Sequence, residues 1–116
     1  MLRLGIAGVA GRMGQLLVEE ARAAGATVVG GTLRPGSTRP GPAGAPILPD
    51  AAALFAASEA VIDFTHADNA ADHAALAAAT ATPLVLGSSG LSATQAAAVA
   101  AAAQRTAIVF AANFAP

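Results

Sequence analysis

The sequence contains no cysteine and no lysine. The first absence excludes disulfides, thiolate metal sites and cysteine nucleophiles, and it fits a reducing compartment, so a cytoplasmic location is expected. The second excludes a Schiff base or a lysine general acid from this chain, because all six basic residues are arginine. Tryptophan and tyrosine are missing as well, leaving four phenylalanines. Much of the 55% hydrophobic content is alanine, so a thin core of Val, Ile, Leu and Phe is expected. A net charge of −1 provides no basic surface, so no nucleic-acid partner is expected. No apolar run reaches the ~18 residues of a membrane span unless alanines are counted. Met1-Leu2-Arg3-Leu4 leads into a strand pattern without a signal-like n-region, so neither membrane nor secretory signal is expected. The two histidines are too poorly spaced for a metal site, and no G-x-S-x-G elbow or P-loop lysine occurs.

The 116 residues suit one domain. Leu2–Ala7 reads as a buried strand and Arg12–Ala24 as a helix, with Leu16, Leu17 and Ala24 at helical spacing and Gly25 as its cap. Thr27–Leu33 is a second strand. Residues 35–49 hold five prolines and three glycines and read as a surface loop, with a short strand at Ile47-Leu48. Asp50 caps a helix over Ala51–Ala57. Ala60–Phe64 is a strand, and Thr65–Asp68 opens a helix running to about Ala79. Leu84–Leu86 is a strand, Ser92–Gln95 is a capping box for a helix to about Gln104, and Ala107–Phe110 is the last strand. Strands alternating with helices predict an α/β fold: a Rossmann-like, doubly wound, three-layer parallel sheet.

Function concentrates in the loops after the strands. Gly8-Val9-Ala10-Gly11-Arg12-Met13-Gly14 has the spacing G-x-x-G-x-x-G between a strand and a helix start. Glycines there let the backbone approach a diphosphate, and the first helical N–H groups point at its charge. Arg34 follows the second strand, Thr65-His66 the third, Gly87-Ser88-Ser89-Gly90 the fourth, and Ala111-Ala112-Asn113-Phe114 the fifth. In a parallel sheet all five loops share one edge, where ligands bind at a switch point.

Each residue also has a plainer reading. Arg12 could be solvated or could reach a phosphate. Met13 is expected to pack under the turn more readily than to touch a ligand. Ser88 and Ser89 could satisfy loop N–H groups, while Gly87 would admit a flat ring. Asn113 could bond the turn or a cofactor amide. Asp63 is expected to bond the backbone of a neighbouring turn, and His73, beside Asp72, to be solvated. His66 lies on the functional edge, and histidine is the residue type suited to proton transfer near neutrality, so it could contact substrate or cofactor or neither. No carboxylate lies between Glu20 and Asp50, where NAD-specific sites place their ribose ligand. Arg34 stands there instead, with Arg39 nearby, so a preference for NADPH, or weak discrimination, is expected over strict use of NADH.

The segments G-I-A-G-V-A-G-R-M-G, V-I-D-F-T, L-G-S-S-G and A-I-V-F-A-A-N-F-A together resemble the N-terminal domain of the 4-hydroxy-tetrahydrodipicolinate reductase (dihydrodipicolinate reductase) family. The resemblance spans essentially the whole chain. It implies that Gly8, Val9, Ala10, Gly11, Arg12 and Met13 cradle the pyrophosphate of NADPH or NADH. It also implies that Gly87, Ser88 and Ser89 lie along the nicotinamide half, closed by Ala111, Ala112, Asn113 and Phe114. The family reduces a cyclic dicarboxylate imine by hydride transfer on the diaminopimelate route to lysine. Four departures from its usual pattern fall at six positions: Arg34 for an acidic residue, Ser88-Ser89 for Thr-Thr, His66-Ala67 for Arg-Pro, and Ala115 for Ser.

The family's general acid, lysine and substrate-carboxylate site lie in a second domain with an H-H-x-x-K-type segment, which also builds a homotetramer. None of that is in these residues. Residues 1–116 are therefore expected to be the NAD(P)-binding domain, ending near the hinge to that domain, inactive alone and without a catalytic residue of its own. The small-molecule substrate would meet only the complete enzyme. Two alternatives remain open at this point: a stand-alone nucleotide-binding or redox-sensing module, and another NAD(P)-dependent dehydrogenase of the same fold.

Overall fold

A computed structural model describes residues 1–10, 12–33, 45–88 and 90–110. The order of elements is β1 (Arg3–Ala7), α1 (Arg12–Ala23), β2 (Thr27–Thr32), α2 (Ala51–Ala57), β3 (Ala60–Asp63), α3 (Ala70–Thr80), β4 (Leu84–Leu86), α4 (Ala93–Ala102) and β5 (Ile108–Phe110). A 3-10 turn, Ala67–Asn69, precedes α3. The five strands form one parallel sheet in the order β2-β1-β3-β4-β5. The expected alternation of strands and helices is therefore present.

Two apolar clusters lie on opposite faces of the sheet. Ile6, Val9, Val18 and Val28 pack together beneath α1. Ala7, Leu54, Phe55, Val61, Leu84, Leu86 and the alanines Ala70, Ala74 and Ala77 form the other cluster, beneath α2, α3 and α4. The alternation along β1, with Ile6 to one side and Ala7 to the other, follows from the two-residue period of a strand. This is the three-layer α/β/α arrangement; α3 buries mainly alanine, at Ala70, Ala74 and Ala77, while α2 buries Leu54 and Phe55.

Local signals largely act as the sequence predicts. The Asp50 side chain caps α2 by accepting from the Ala53 N–H at 2.8 Å. Ser92 and Gln95 form a reciprocal capping box at the start of α4. Gly25 has φ +88° just past α1, the left-handed conformation that ends a helix.

Three expectations need correction. The helix predicted from Thr65 starts as the 3-10 turn and becomes α-helical only at Ala70, because the His66 ring caps the turn by accepting from the Asp68 N–H. Ile47 forms an isolated bridge to Gly31 in place of a short strand. The buried face of α1 is carried by Gly14 and Val18, while Leu16 and Ala24 are exposed. Gly14 must face inward, because only a residue without Cβ fits against Val9, and this rotates Leu16 outward.

Candidate functional site

Parallel strands put all their C-terminal ends on one edge, and the strand order changes direction between β1 and β3. The loops after these two strands flank the crevice where open α/β sheets take ligands. The β1 loop is the glycine turn. Gly8 has φ +79°, a conformation that glycine adopts without cost. The N–H groups of Gly8 and Val9 both donate to the Thr32 carbonyl, at 3.1 and 3.0 Å, which stitches the turn to the end of β2.

Val9 is fully buried and anchors the turn. A Cβ on Gly14 would lie 2.2 Å from the Val9 carbonyl oxygen, and one on Gly31 would lie 2.4 Å from the Val9 Cβ. Glycines on α1 and β2 thus let the turn lie flat on the sheet edge. Val9 turns its side chain inward, its N–H to Thr32 and its carbonyl to Gly14. Arg12 and Met13, in the first turn of α1, are exposed, so Met13 does not pack under the turn as the sequence suggested. That first turn holds no acidic residue, and a helix start favours negative charge.

The β3 loop is organised by Asp63, at the end of that strand and fully buried. Its Oδ1 accepts from the Thr65 N–H at 2.8 Å and from the Thr65 hydroxyl at 2.6 Å. This is the expected bond to a neighbouring turn. Its Oδ2 accepts from Nδ1 of His73 at 2.5 Å. The expectation that His73 is solvated was wrong. It faces inward from α3 and is buried, its ring 6.1 Å from that of Phe55. Burial pushes the Asp63 carboxyl upward in pKa. The hydrogen bond and charge of His73, with the two Thr65 donors, together outweigh that push and hold it below its ordinary value.

Thr65 joins three loops. Its carbonyl accepts from the Ser88 hydroxyl at 2.7 Å, and its Cγ2 lies 3.1 Å from where a Cβ on Gly8 would stand. The Gly87 N–H donates to the Asp63 carbonyl at 2.8 Å. Ser88 therefore satisfies a loop carbonyl, where the plainer reading had it satisfy loop N–H groups, and it is buried doing so. His66 is largely exposed beside Asp68, free of the crevice's buried network.

The structure thus brings together Gly8, Val9, Ala10, Arg12 and Met13 with Gly87 and Ser88, through Thr65. Gly11, Arg34, Ser89, Ala111, Ala112, Asn113 and Phe114 lie outside the described residues. The sequence reading missed Thr65, Gly31 and the role of His73. The D-x-T spacing of Asp63 and Thr65 was the available signal for the first, since a carboxylate two residues before a hydroxyl can bond its backbone and side chain together. Elsewhere, an apolar recess of about 270 Å³ between α4 and β5 is lined by Leu91, Val99, Ile108 and Phe110 among others; it presents no group suited to a diphosphate. Among the described residues, no cluster of His, Cys, Asp and Glu could hold a metal, and no helix is long and apolar enough to cross a membrane.

Comparison with known proteins agrees with this geometry. The family model described as "Dihydrodipicolinate reductase, N-terminus" matches residues 2–114. A 4-hydroxy-tetrahydrodipicolinate reductase of Granulibacter bethesdensis is 53% identical over 99% of this chain and 44% of its own length. That of Acidiphilium cryptum is 46% identical over 99% of this chain and 41% of its own length. The dipicolinate-bound dihydrodipicolinate reductase of Paenisporosarcina sp. TG-14 superposes with a TM-score of 0.82 at 20% identity, over 99% of this chain and 48% of that one. The chain spans less than half the length of these relatives. A sheet of this order, a glycine turn at its switch point and a match over nearly every residue lead to one conclusion: the chain belongs to the dihydrodipicolinate reductase N-terminal domain family.

Proposed function

We propose that this chain is the NAD(P)H-binding domain of a reductase acting on 4-hydroxy-tetrahydrodipicolinate in the diaminopimelate route to lysine. The observation that carries the reading is the flat glycine turn at the β1/β3 switch point, in a chain whose relatives bear that reductase's name. The pyrophosphate would lie over Gly8–Met13, held by the backbone N–H groups after Val9, the α1 N-terminus and Arg12. Gly87, Ser88 and Ser89 would line the nicotinamide half, with Ala111–Phe114 closing it. Arg34 would meet a 2′-phosphate, which favours NADPH.

The cradle fits such a group. Glycines at Gly8, Gly14 and Gly31 keep the turn against the sheet, and the first turn of α1 carries Arg12 without a competing carboxylate. When bound, the dinucleotide would supply the hydride. This chain's residues would bind and orient it, with the general acid supplied from elsewhere. The acid, the substrate-carboxylate site and a homotetrameric interface would belong to a second domain beyond a hinge near residue 116, in a cytoplasmic enzyme. No observation favours a stand-alone sensing module.

The test is reduction of 4-hydroxy-tetrahydrodipicolinate, followed as NADPH oxidation. The full-length protein should turn over, and residues 1–116 alone should not. A full-length protein that leaves NADPH unoxidised with this substrate, or turnover by the 116-residue chain, would overturn the reading.

A further inference from the structure

Asp63 and His73 form a buried pair that the binding reading does not use. His73 reaches Asp63 from the far element of the β3–α3 unit, ten residues on. The other oxygen of the carboxylate takes both donors of Thr65. Thr65 in turn accepts the Ser88 hydroxyl and touches the Gly8 position. One backbone bond, from Gly87 to Asp63, closes the circuit. Three of the strand-end loops on the ligand edge therefore meet at one residue, and that residue is fixed by Asp63.

We propose that Asp63 and His73 are positioning residues for the dinucleotide site: His73 fixes the carboxylate, the carboxylate fixes Thr65, and Thr65 sets the spacing between the glycine turn and the Gly87–Ser88 loop. The inference rests on the proposed dinucleotide reading. Neither side chain needs to touch the ligand. Asp63 is fully buried and His73 is covered by Phe55, so both act from behind the edge. The carboxylate's depressed pKa agrees with it remaining an acceptor throughout. A carboxylate with four acceptor positions can hold three donors at once. A histidine whose Nδ1 carries the proton supplies the third while filling the space under Phe55.

The test compares His73→Leu, which removes the donor, with His73→Asn, whose amide nitrogen can replace Nδ1. Both are made in the full-length protein. NADPH affinity is read by titration, and amide hydrogen exchange is read at Thr65 and Gly87. His73→Leu should weaken NADPH binding about tenfold, the scale of one lost bond to a charged group. It should also speed exchange at Thr65 and Gly87, leaving β1 protected. His73→Asn should restore most of both. Should His73→Leu fail to fold, Thr65→Val removes one donor to the carboxylate, and the same two changes are expected. A folded His73→Leu or Thr65→Val protein with parental affinity and exchange overturns the proposal. So does a His73→Asn protein as impaired as His73→Leu, which would mean that packing alone matters. A parent protein that binds neither NADPH nor NADH would overturn the dinucleotide reading instead, and exchange at Thr65 and Gly87 would then decide the positioning claim alone.

Discussion

Gly14, on the first helix, faces the carbonyl of Val9 so closely that an added Cβ would lie 2.2 Å from the oxygen and 2.5 Å from the carbonyl carbon. No side-chain rotation relieves a clash between Cβ and backbone. Gly14→Ala must push α1 away from the glycine turn, at a cost of about 3 kcal/mol. Denaturant melts should show this loss, and nucleotide affinity should fall with it. Gly25→Ala is a useful contrast: nothing lies within 4 Å of its Cβ position, so only the penalty of its positive φ should appear.

Ala81 holds the left-handed conformation, φ 52° and ψ 39°, at the C-terminus of α3. Thr82 behind it donates to the Ala77 carbonyl at 2.9 Å, so the turn is used as a helix stop. Alanine pays a steric cost there that glycine avoids. Ala81→Gly should stabilise the fold by about 1 kcal/mol. Thermal unfolding should then move upward by about 4 °C. A lower melting temperature would mean that the added freedom of the unfolded chain outweighs the relieved strain.

The buried carboxylate gives a pH dependence whose sign follows from its direction of shift. Asp63 has a folded pKa below its ordinary 3.8. The folded state therefore binds its proton less readily than the unfolded chain does. Its contribution is fully present above about pH 4 and is lost as pH falls through the folded value. In Asp63→Asn this part of the acid limb should vanish. The stability gap between parent and variant should narrow as pH falls below about 4. Urea melts across that range measure it.

Much of this organisation was legible from residues acting locally. The Ser92–Gln95 box, the Asp50 cap and the stop at Gly25 each depend on neighbours within a few positions, and each is present. The parallel sheet follows from strands spaced by helices. What the sequence hid were contacts across elements. His73 sits beside Asp72 in the chain and so read as solvated, yet its ring points across to Asp63 on β3. Leu16 looked like core by spacing, but the close approach of Gly14 to Val9 fixes which face of α1 turns inward. The D-x-T spacing ties Thr65 only to Asp63. The importance of Thr65 comes from Gly8 and Ser88, which are distant in sequence and adjacent in space.

Arg34 is expected to read the 2′-phosphate. Arg34→Ala should weaken NADPH about tenfold, the scale of one lost charged hydrogen bond, and leave NADH unchanged. Parallel titrations with the two nucleotides measure the difference. Equal losses for both, or none, would remove the basis for an NADPH preference.

The glycine-turn edge is proposed to hold a nicotinamide dinucleotide. The most direct test of this is titration of the isotopically labelled 116-residue chain with NADPH, read at each backbone amide. Saturable shifts should centre on Gly8, Val9, Ala10, Met13, Gly87 and Ser88, with Leu91, Val99 and Ile108 unmoved. Saturable shifts confined to the recess between α4 and β5, or none at all at millimolar NADPH, would contradict it.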